Sequence, residues 1–235
     1  MNLILLFEED FVNDGLVRLT GRRLQHVLEV HRAEVGQELC VGLCGGMIGR
    51  GRVARLDKDV LEMEVVLERQ PPPKLPVTLL LALPRPPVFK RVLLAATSMG
   101  VARIVLMNSA RVEKSFWKSR VLAGDNLQEP LVLGLEQARD TVLPEVLLRP
   151  RFRPLVEDEL PELCAGTTCL VAHPVAAGPC PSGLSGPVTL AIGPEGGFIP
   201  YEVDKLSECG FVPISLGERI LRVETAVPAV LSRLF

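Results

Sequence analysis

Ala191-Ile192-Gly193-Pro194-Glu195-Gly196-Gly197-Phe198 and, a short way on, Ser215-Leu216-Gly217-Glu218-Arg219-Ile220-Leu221-Arg222-Val223-Glu224-Thr225-Ala226 decide how this chain is read. Each stretch leaves an apolar, strand-like run, turns through glycine and enters a helix-like segment. Glycine turns the backbone through positive φ and lets a ligand approach main-chain N–H and C=O groups, because it has no Cβ. A plain strand-to-helix turn needs only one such residue. Two glycine loops, one carrying a carboxylate and one rich in arginine, suit a small polar cofactor with an adenine, held by backbone. The phosphate-binding alternative lacks both the G-x-G-x-x-G pattern and the lysine of a P-loop.

Around these loops the chain alternates strands and helices. Residues 77–83 form a continuous apolar run, and Val88, Val92, Ala95 and Met99 then recur at helical spacing. Residues 104–107, 169–172, 188–192 and 212–216 are short strand candidates. Residues 117–138, 200–209 and 224–234 are predicted helical. Such alternation builds a parallel sheet with helices on its faces, an α/β fold.

The first seventy residues differ. Residues 2–7, 38–44, 47–56 and 60–67 are strand candidates, with Gly45-Gly46 as a tight turn. One helix, 22–30, is placed after Thr20 as its cap, so this part is expected to be a small β-barrel with one helix. Gln70-Pro71-Pro72-Pro73-Lys74-Leu75-Pro76 is a stiff extended linker that sets a boundary between domains 1–72 and 73–235.

The formal net charge of -2 conceals an asymmetry. Residues 84–120 carry eight Lys/Arg against one Asp/Glu, whereas residues 121–170 carry four against nine. A basic block in an acidic protein fits an anionic polymer, although a solvated face balancing an acidic helix would read the same. The apolar start, 2–7, is too short for a signal peptide and meets Glu8-Glu9-Asp10 at once; no run reaches membrane-spanning length. The expectation is a cytoplasmic protein without a membrane partner. Its six cysteines show neither C-x-x-C nor a zinc-type histidine pattern, so no metal is expected and the thiols read as reduced core residues.

The two glycine stretches match, in order and spacing, the patterns I-G-P-E-G-G-[FWL] and x-L-G-x-R-I-L-R-x-E-T-A. In this the chain resembles the RsmE-type ribosomal RNA uridine-N3 methyltransferases of the SPOUT superfamily. Less specific likenesses cover Leu24-Gln25-His26-Val27-Leu28, Val35-Gly36-Gln37-Glu38, Ala82-Leu83-Pro84, Ala96-Thr97, Gly100-Val101, Glu136-Gln137 and Pro144-Glu145-Val146. The chain departs from the family at Leu94-Ala95 (commonly Gln-Lys), Ser98 (Glu), Glu29 (Arg) and Arg139-Asp140 (Gly-Arg).

The resemblance implies a C-terminal SPOUT-type parallel sheet with a trefoil knot and an N-terminal PUA-like, RNA-binding β-barrel. It implies S-adenosylmethionine held in a bent shape by Gly193, Glu195, Gly196, Gly197, Leu216, Gly217, Ile220 and Leu221. It also implies a homodimer whose substrate is a uridine of small-subunit ribosomal RNA, met as free RNA or as the assembled subunit. The alternative within the same fold is a non-catalytic RNA-binding protein of ribosome assembly.

Uracil N3–H is a weak acid, so methyl transfer to N3 calls for a cation that stabilises the developing anion and a group that takes the proton. Arg222 and Glu224 are the catalytic candidates; an ordinary ion pair or a helix-start carboxylate would look alike. Arg219 suits either a phosphate or the loop itself. Candidate RNA contacts are Arg22, Arg23, His26, Arg50 and Arg52 in the first domain, and Arg85, Lys90, Arg91, Arg111 and Lys114, with Lys118, in the second. His173, at the end of an apolar strand, reads as a satisfied, partly buried histidine.

Overall fold

A computed structural model describes residues 2–176 and 178–235. It divides into two compact units: Met1–Pro73 with Val132–Leu143, and Lys74–Leu131 with Pro144–Phe235.

The first unit holds β1 (Ile4–Leu6), β2 (Phe11–Asn13), β3 (Leu16–Leu19), α1 (Gly21–His26), β4 (Glu38–Leu43), β5 (Ile48–Leu56) and β6 (Leu61–Arg69). The sheet order is β1-β4-β5-β6-β3-β2, with β1 parallel to β4 and the other pairs antiparallel. Side chains alternate across a strand, and in β1 both faces are covered. Ile4 and Leu6 join a core with Val17, Leu19, Leu24, Val41 and Met63, while Leu3 and Leu5 join Ile48, Val132 and Leu135. Double coverage explains why residues 3–6 are apolar without interruption.

Thr20 makes no side-chain cap bond, and α1 is shorter than expected: after His26 it widens into a π turn, Val27–His31. The strands β2 and β3 were not expected, being too short to show a period.

Two arginines at the start of α1 are structural ties. Arg23 donates to both carboxylate oxygens of buried Asp10 (2.5 and 2.7 Å) and to the Leu5 carbonyl (2.8 Å). Arg22 grips both oxygens of Glu136 (2.8 and 3.1 Å), whose side chain is fully buried.

The segment 132–143 belongs to this unit, although its sequence position lies in the predicted second domain. At its turn Arg139 adopts φ 56, the left-handed region, where the family pattern has glycine. The following amide, Asp140 N, bonds back to the Leu135 carbonyl (3.1 Å), as at a glycine-terminated helix. A side chain in that region costs about 1 kcal/mol. Arg139→Gly is therefore expected to raise the denaturation midpoint, and an unchanged or lower midpoint in urea would contradict the strain.

The second unit holds β7 (Leu75–Ala82), α2 (Pro86–Ser98), β8 (Val101–Met107), the first part of α3 (Gly124–Ala138), β9 (Glu145–Arg149), α4 (Phe152–Pro154), α5 (Leu160–Leu163), β10 (Thr168–Ala172), β11 (Val188–Ile192), α6 (Pro200–Glu208), β12 (Val212–Ile214) and α7 (Val223–Leu234). The predicted helix 117–138 is two 3-10 turns, Phe116–Lys118 and Arg120–Leu122, and only then α3. Extended backbone at Ser119 and Ala123 breaks the run, and Gly124, at φ 45, opens α3. β9 and the short helices after it were not expected.

All pairs in the order β12-β10-β11-β7-β8-β9 are parallel. The buried stripe of α2 is Val88, Phe89, Val92, Leu93, Ala96 and Thr97, and α2 packs against α7. Since all six strands run the same way, the loops after β10, β11 and β12 emerge at one edge. That edge is where open α/β sheets hold ligands.

Among the described residues no helix is long and apolar enough to cross a membrane, and no cluster of His, Cys, Asp and Glu could hold a metal. The cysteines are free; burial pushes the thiols of Cys44, Cys164, Cys180 and Cys209 above their ordinary value.

Candidate cofactor cleft

Three loops enclose a cleft of about 250 Å³, lined by Ala172–Pro174 after β10, Ile192–Gly197 after β11 and Ile214–Leu221 after β12, with Val223, Ala226 and Val230 of α7. Glu218 alone of these ranges is not in the lining. Every residue expected to hold a cofactor lies here: Gly193, Glu195, Gly196, Gly197, Leu216, Gly217, Ile220 and Leu221. His173 joins them, its amide donating to the Ile214 carbonyl (2.9 Å). The floor is apolar and buried (Ile192, Ile214, Val223, Val230), while residues 216–222 are all exposed.

The geometry suits a ligand held by main chain. Among the described residues, the N–H groups of Leu216, Arg219, Ile220 and Leu221 meet no protein acceptor. Ser215 Oγ accepts from the Gly217 amide (3.1 Å), fixing the turn, and Gly217 stands at φ 124. A Cβ on Gly193 would lie 2.9 Å from the Phe198 nitrogen and 3.1 Å from the Gly197 carbonyl carbon, both backbone atoms. A Cβ on Gly196 would meet the Arg111 side chain at 2.9 Å, which is a softer obstacle.

Side chains unforeseen from sequence hold the first loop. Arg85 donates through its amide and its Nε to Glu195 Oε1 (3.2 and 3.3 Å), and Arg111 donates to the Gly196 carbonyl. Both arginines had read only as phosphate contacts. Glu202, buried near the start of α6, accepts from Ala110 N (2.7 Å) and Ile199 N (3.0 Å), tying the loop after β8 to the end of the glycine loop. Only proximity of Arg111 and Glu202 in space joins these contacts, and no local pattern signals it.

Arg222 occupies the N-cap position of α7, beside the cleft rim, and its guanidinium has no protein partner among the described residues. Glu224 does not pair with it. Its Oε1 accepts from Arg91 Nη2 of α2 (3.1 Å), and its side chain is only 18% exposed.

The remaining basic candidates are mostly paired as well. Lys90 bonds Glu129 (3.0 Å), and Arg50 lies near Glu38 and Glu68 (3.6 and 3.3 Å). Arg52 and Lys114 are exposed and unpaired among the described residues. His26 packs edge-to-face on His31 (5.1 Å), and its Nε2 is buried without a partner. Burial, with the charges of His31 and Arg22, lowers its proton affinity, so it suits neither a phosphate nor an exposed base.

An all-parallel sheet with a backbone-rich cleft at its carboxyl edge is the build of a cofactor-binding α/β domain. The chain belongs to the RNA methyltransferase family, whose domain model matches residues 71–235. It is 28% identical over 97% of its length to the ribosomal RNA small subunit methyltransferase E of Treponema pallidum, covering 88% of that protein. With the protein of the same name from Mycobacterium bovis it shares 29% identity over 98% of this chain and 90% of the relative. Its fold matches the crystal structure of the Neisseria gonorrhoeae ribosomal RNA small subunit methyltransferase E bound to S-adenosyl methionine, with a TM-score of 0.74, 24% identity and coverage of 98% and 95% of the two chains.

Proposed function

We propose that this chain is an S-adenosylmethionine-dependent methyltransferase acting on N3 of a uridine in small-subunit ribosomal RNA. The observation that carries the reading is the convergence of both glycine loops on one cleft, with unpartnered main-chain N–H groups above an apolar floor. An adenine fits such a site, its face on the floor and its edge on backbone. The names of the full-length relatives support the substrate class. The N3 position rests on the match of the two C-terminal patterns.

Bound there, S-adenosylmethionine supplies an electrophilic methyl on a sulfonium. The chain supplies the rest. Arg222, exposed between the cleft residues Leu221 and Val223, stabilises negative charge on the uracil oxygens as N3 loses its proton. Glu224 holds Arg91 against α7 and is the nearest carboxylate in sequence for the proton. The N-terminal unit is read as a PUA-like barrel, and the C-terminal segment as a trefoil knot.

RNA contacts are assigned to Arg52 and to Lys114, Lys118 and Arg120, the cations of the basic block that are exposed and unpaired among the described residues. Arg22, Arg23 and His26 drop out because their polar atoms are engaged or buried. A ribosomal RNA substrate supports a cytoplasmic location for the enzyme.

A homodimer belongs to the same proposal. Val227, Val230, Leu231 and Leu234 are core, leaving Phe235 exposed. An apolar group that stays exposed beside the cleft is Leu216, Ile220 (82% exposed) and Leu221. Light scattering at micromolar concentration should give twice the chain mass, and a monomer would contradict this.

Gly193→Val and Gly217→Val test the cleft. The first drives a branched Cβ into backbone, and the second forces valine to φ 124. Strain of about 1–3 kcal/mol in the loop that must seat the ligand should weaken S-adenosylmethionine binding at least tenfold in calorimetric titration. Wild-type affinity in both variants would place the site elsewhere.

A further inference from the structure

The segment 108–123, between β8 and α3, is rooted on the cofactor loop and then left free. At its root, Asn108 N donates to the Arg149 carbonyl (3.1 Å), Ala110 N to buried Glu202 (2.7 Å) and Arg111 to the Gly196 carbonyl. Beyond the root come Lys114, Phe116, Trp117, Lys118 and Arg120 within seven residues. Lys114, Lys118 and Arg120 are exposed and have no acidic partner among the described residues. Arg85, Lys90, Arg91 and Arg103, other cations of the basic block, are each paired with a carboxylate. Trp117 is only half-buried; its indole nitrogen donates to Asn108 Oδ1 (3.0 Å), which fixes the ring.

We propose that residues 114–120 form a platform for single-stranded RNA, with Trp117 stacking on an unpaired base and Lys114, Lys118 and Arg120 meeting its phosphates. The chemistry of the substrate demands such a surface. N3 lies on the pairing edge of uracil, so a uridine in a duplex hides the atom to be methylated. The enzyme must then hold a strand whose bases are already splayed. Aromatic rings interleaved with cations are how proteins do so without reading sequence. The root bonds to Gly196 and Glu202 tie that platform to the cofactor loop. The inference rests on the methyl-transfer reading for the identity of the RNA as substrate, but its test does not require turnover.

Fluorescence anisotropy with a labelled oligouridine dodecamer, and with an RNA hairpin of the same length, measures the platform directly. Wild-type protein should prefer the single strand. Trp117→Leu, which keeps apolar volume, should weaken that binding about tenfold with an unchanged salt slope, and Trp117→Phe should restore most of it. The triple variant Lys114→Gln/Lys118→Gln/Arg120→Gln should flatten the salt dependence by about 0.7 unit for each lost phosphate contact. Unchanged affinity in Trp117→Leu, or a wild-type slope in the triple variant, would overturn the inference. So would displacement of the RNA by a polyglutamate peptide of matched charge, which would mark a protein-docking face. S-adenosylmethionine titrated in parallel should bind both variants as wild type. Protein that holds the strand through this loop yet binds no cofactor would sink the methyl-transfer reading while leaving the platform standing.

Discussion

Arg222→Ala should slow methyl transfer by about a hundredfold or more while cofactor and RNA binding stay near wild type. Loss of one donor to a developing oxyanion typically has that effect, because the bond is strongest in the transition state. The structure makes Arg222 a good probe. It is the N-cap of α7, between the cleft-lining Leu221 and Val223 though not itself in the lining, and its guanidinium is tied to no protein group among the described residues. Removing it therefore leaves no buried charge behind and should not disturb the fold. Arg222→Lys keeps the charge but loses the planar fork, and should fall between the two. Glu224→Gln should be milder if the residue only holds Arg91, and severe with an altered pH profile if it takes the N3 proton. Wild-type turnover of Arg222→Ala at saturating substrate would transfer the role to Arg219, the other unpaired arginine of the same loop.

Arg22→Ala should lower stability by about 3 kcal/mol or more. Its partner Glu136 is wholly buried, so removal of the guanidinium strands a carboxylate away from water. For a chain of this size the melting temperature should fall by roughly 2–4 °C per kcal/mol. The double variant Arg22→Met/Glu136→Leu should be clearly more stable than Arg22→Ala, since it leaves neither charge unpaired. If Arg22→Ala instead melts like wild type and loses RNA affinity, the residue is a phosphate contact and the structural reading of the pair is wrong.

What was legible in the sequence follows from how local each feature is. The two glycine stretches carry their own turns and follow β11 and β12, parallel strands on either side of β10, so their residues meet in one cleft. Runs buried on both faces, such as 77–83 and 188–192, announce a parallel sheet. The short β2 and β3 do not, because three or four residues show no period. The helix expected over 117–138 is interrupted where the backbone turns extended at Ser119 and again at Ala123, before α3 starts at Gly124, and an apolar pattern conceals those breaks. Charge was the least legible signal. Arg22, Arg23, Arg85, Arg91 and Arg111 all looked like phosphate contacts, and each has a partner far away in sequence: Glu136, Asp10, Glu195, Glu224 and the Gly196 carbonyl. A cation's partner is set by tertiary structure, so only the fold separates an RNA surface from a framework of ion pairs.

The central claim is tested most directly by mapping methylation on ribosomal RNA. Purified protein is incubated with isotopically labelled S-adenosylmethionine and small subunits from cells that lack this protein, and the RNA is digested and analysed by mass spectrometry. The expected result is one labelled uridine carrying its methyl on N3, absent when Gly193→Val protein is used. Label on another base or another atom, or no label in any RNA despite tight cofactor binding, would contradict it.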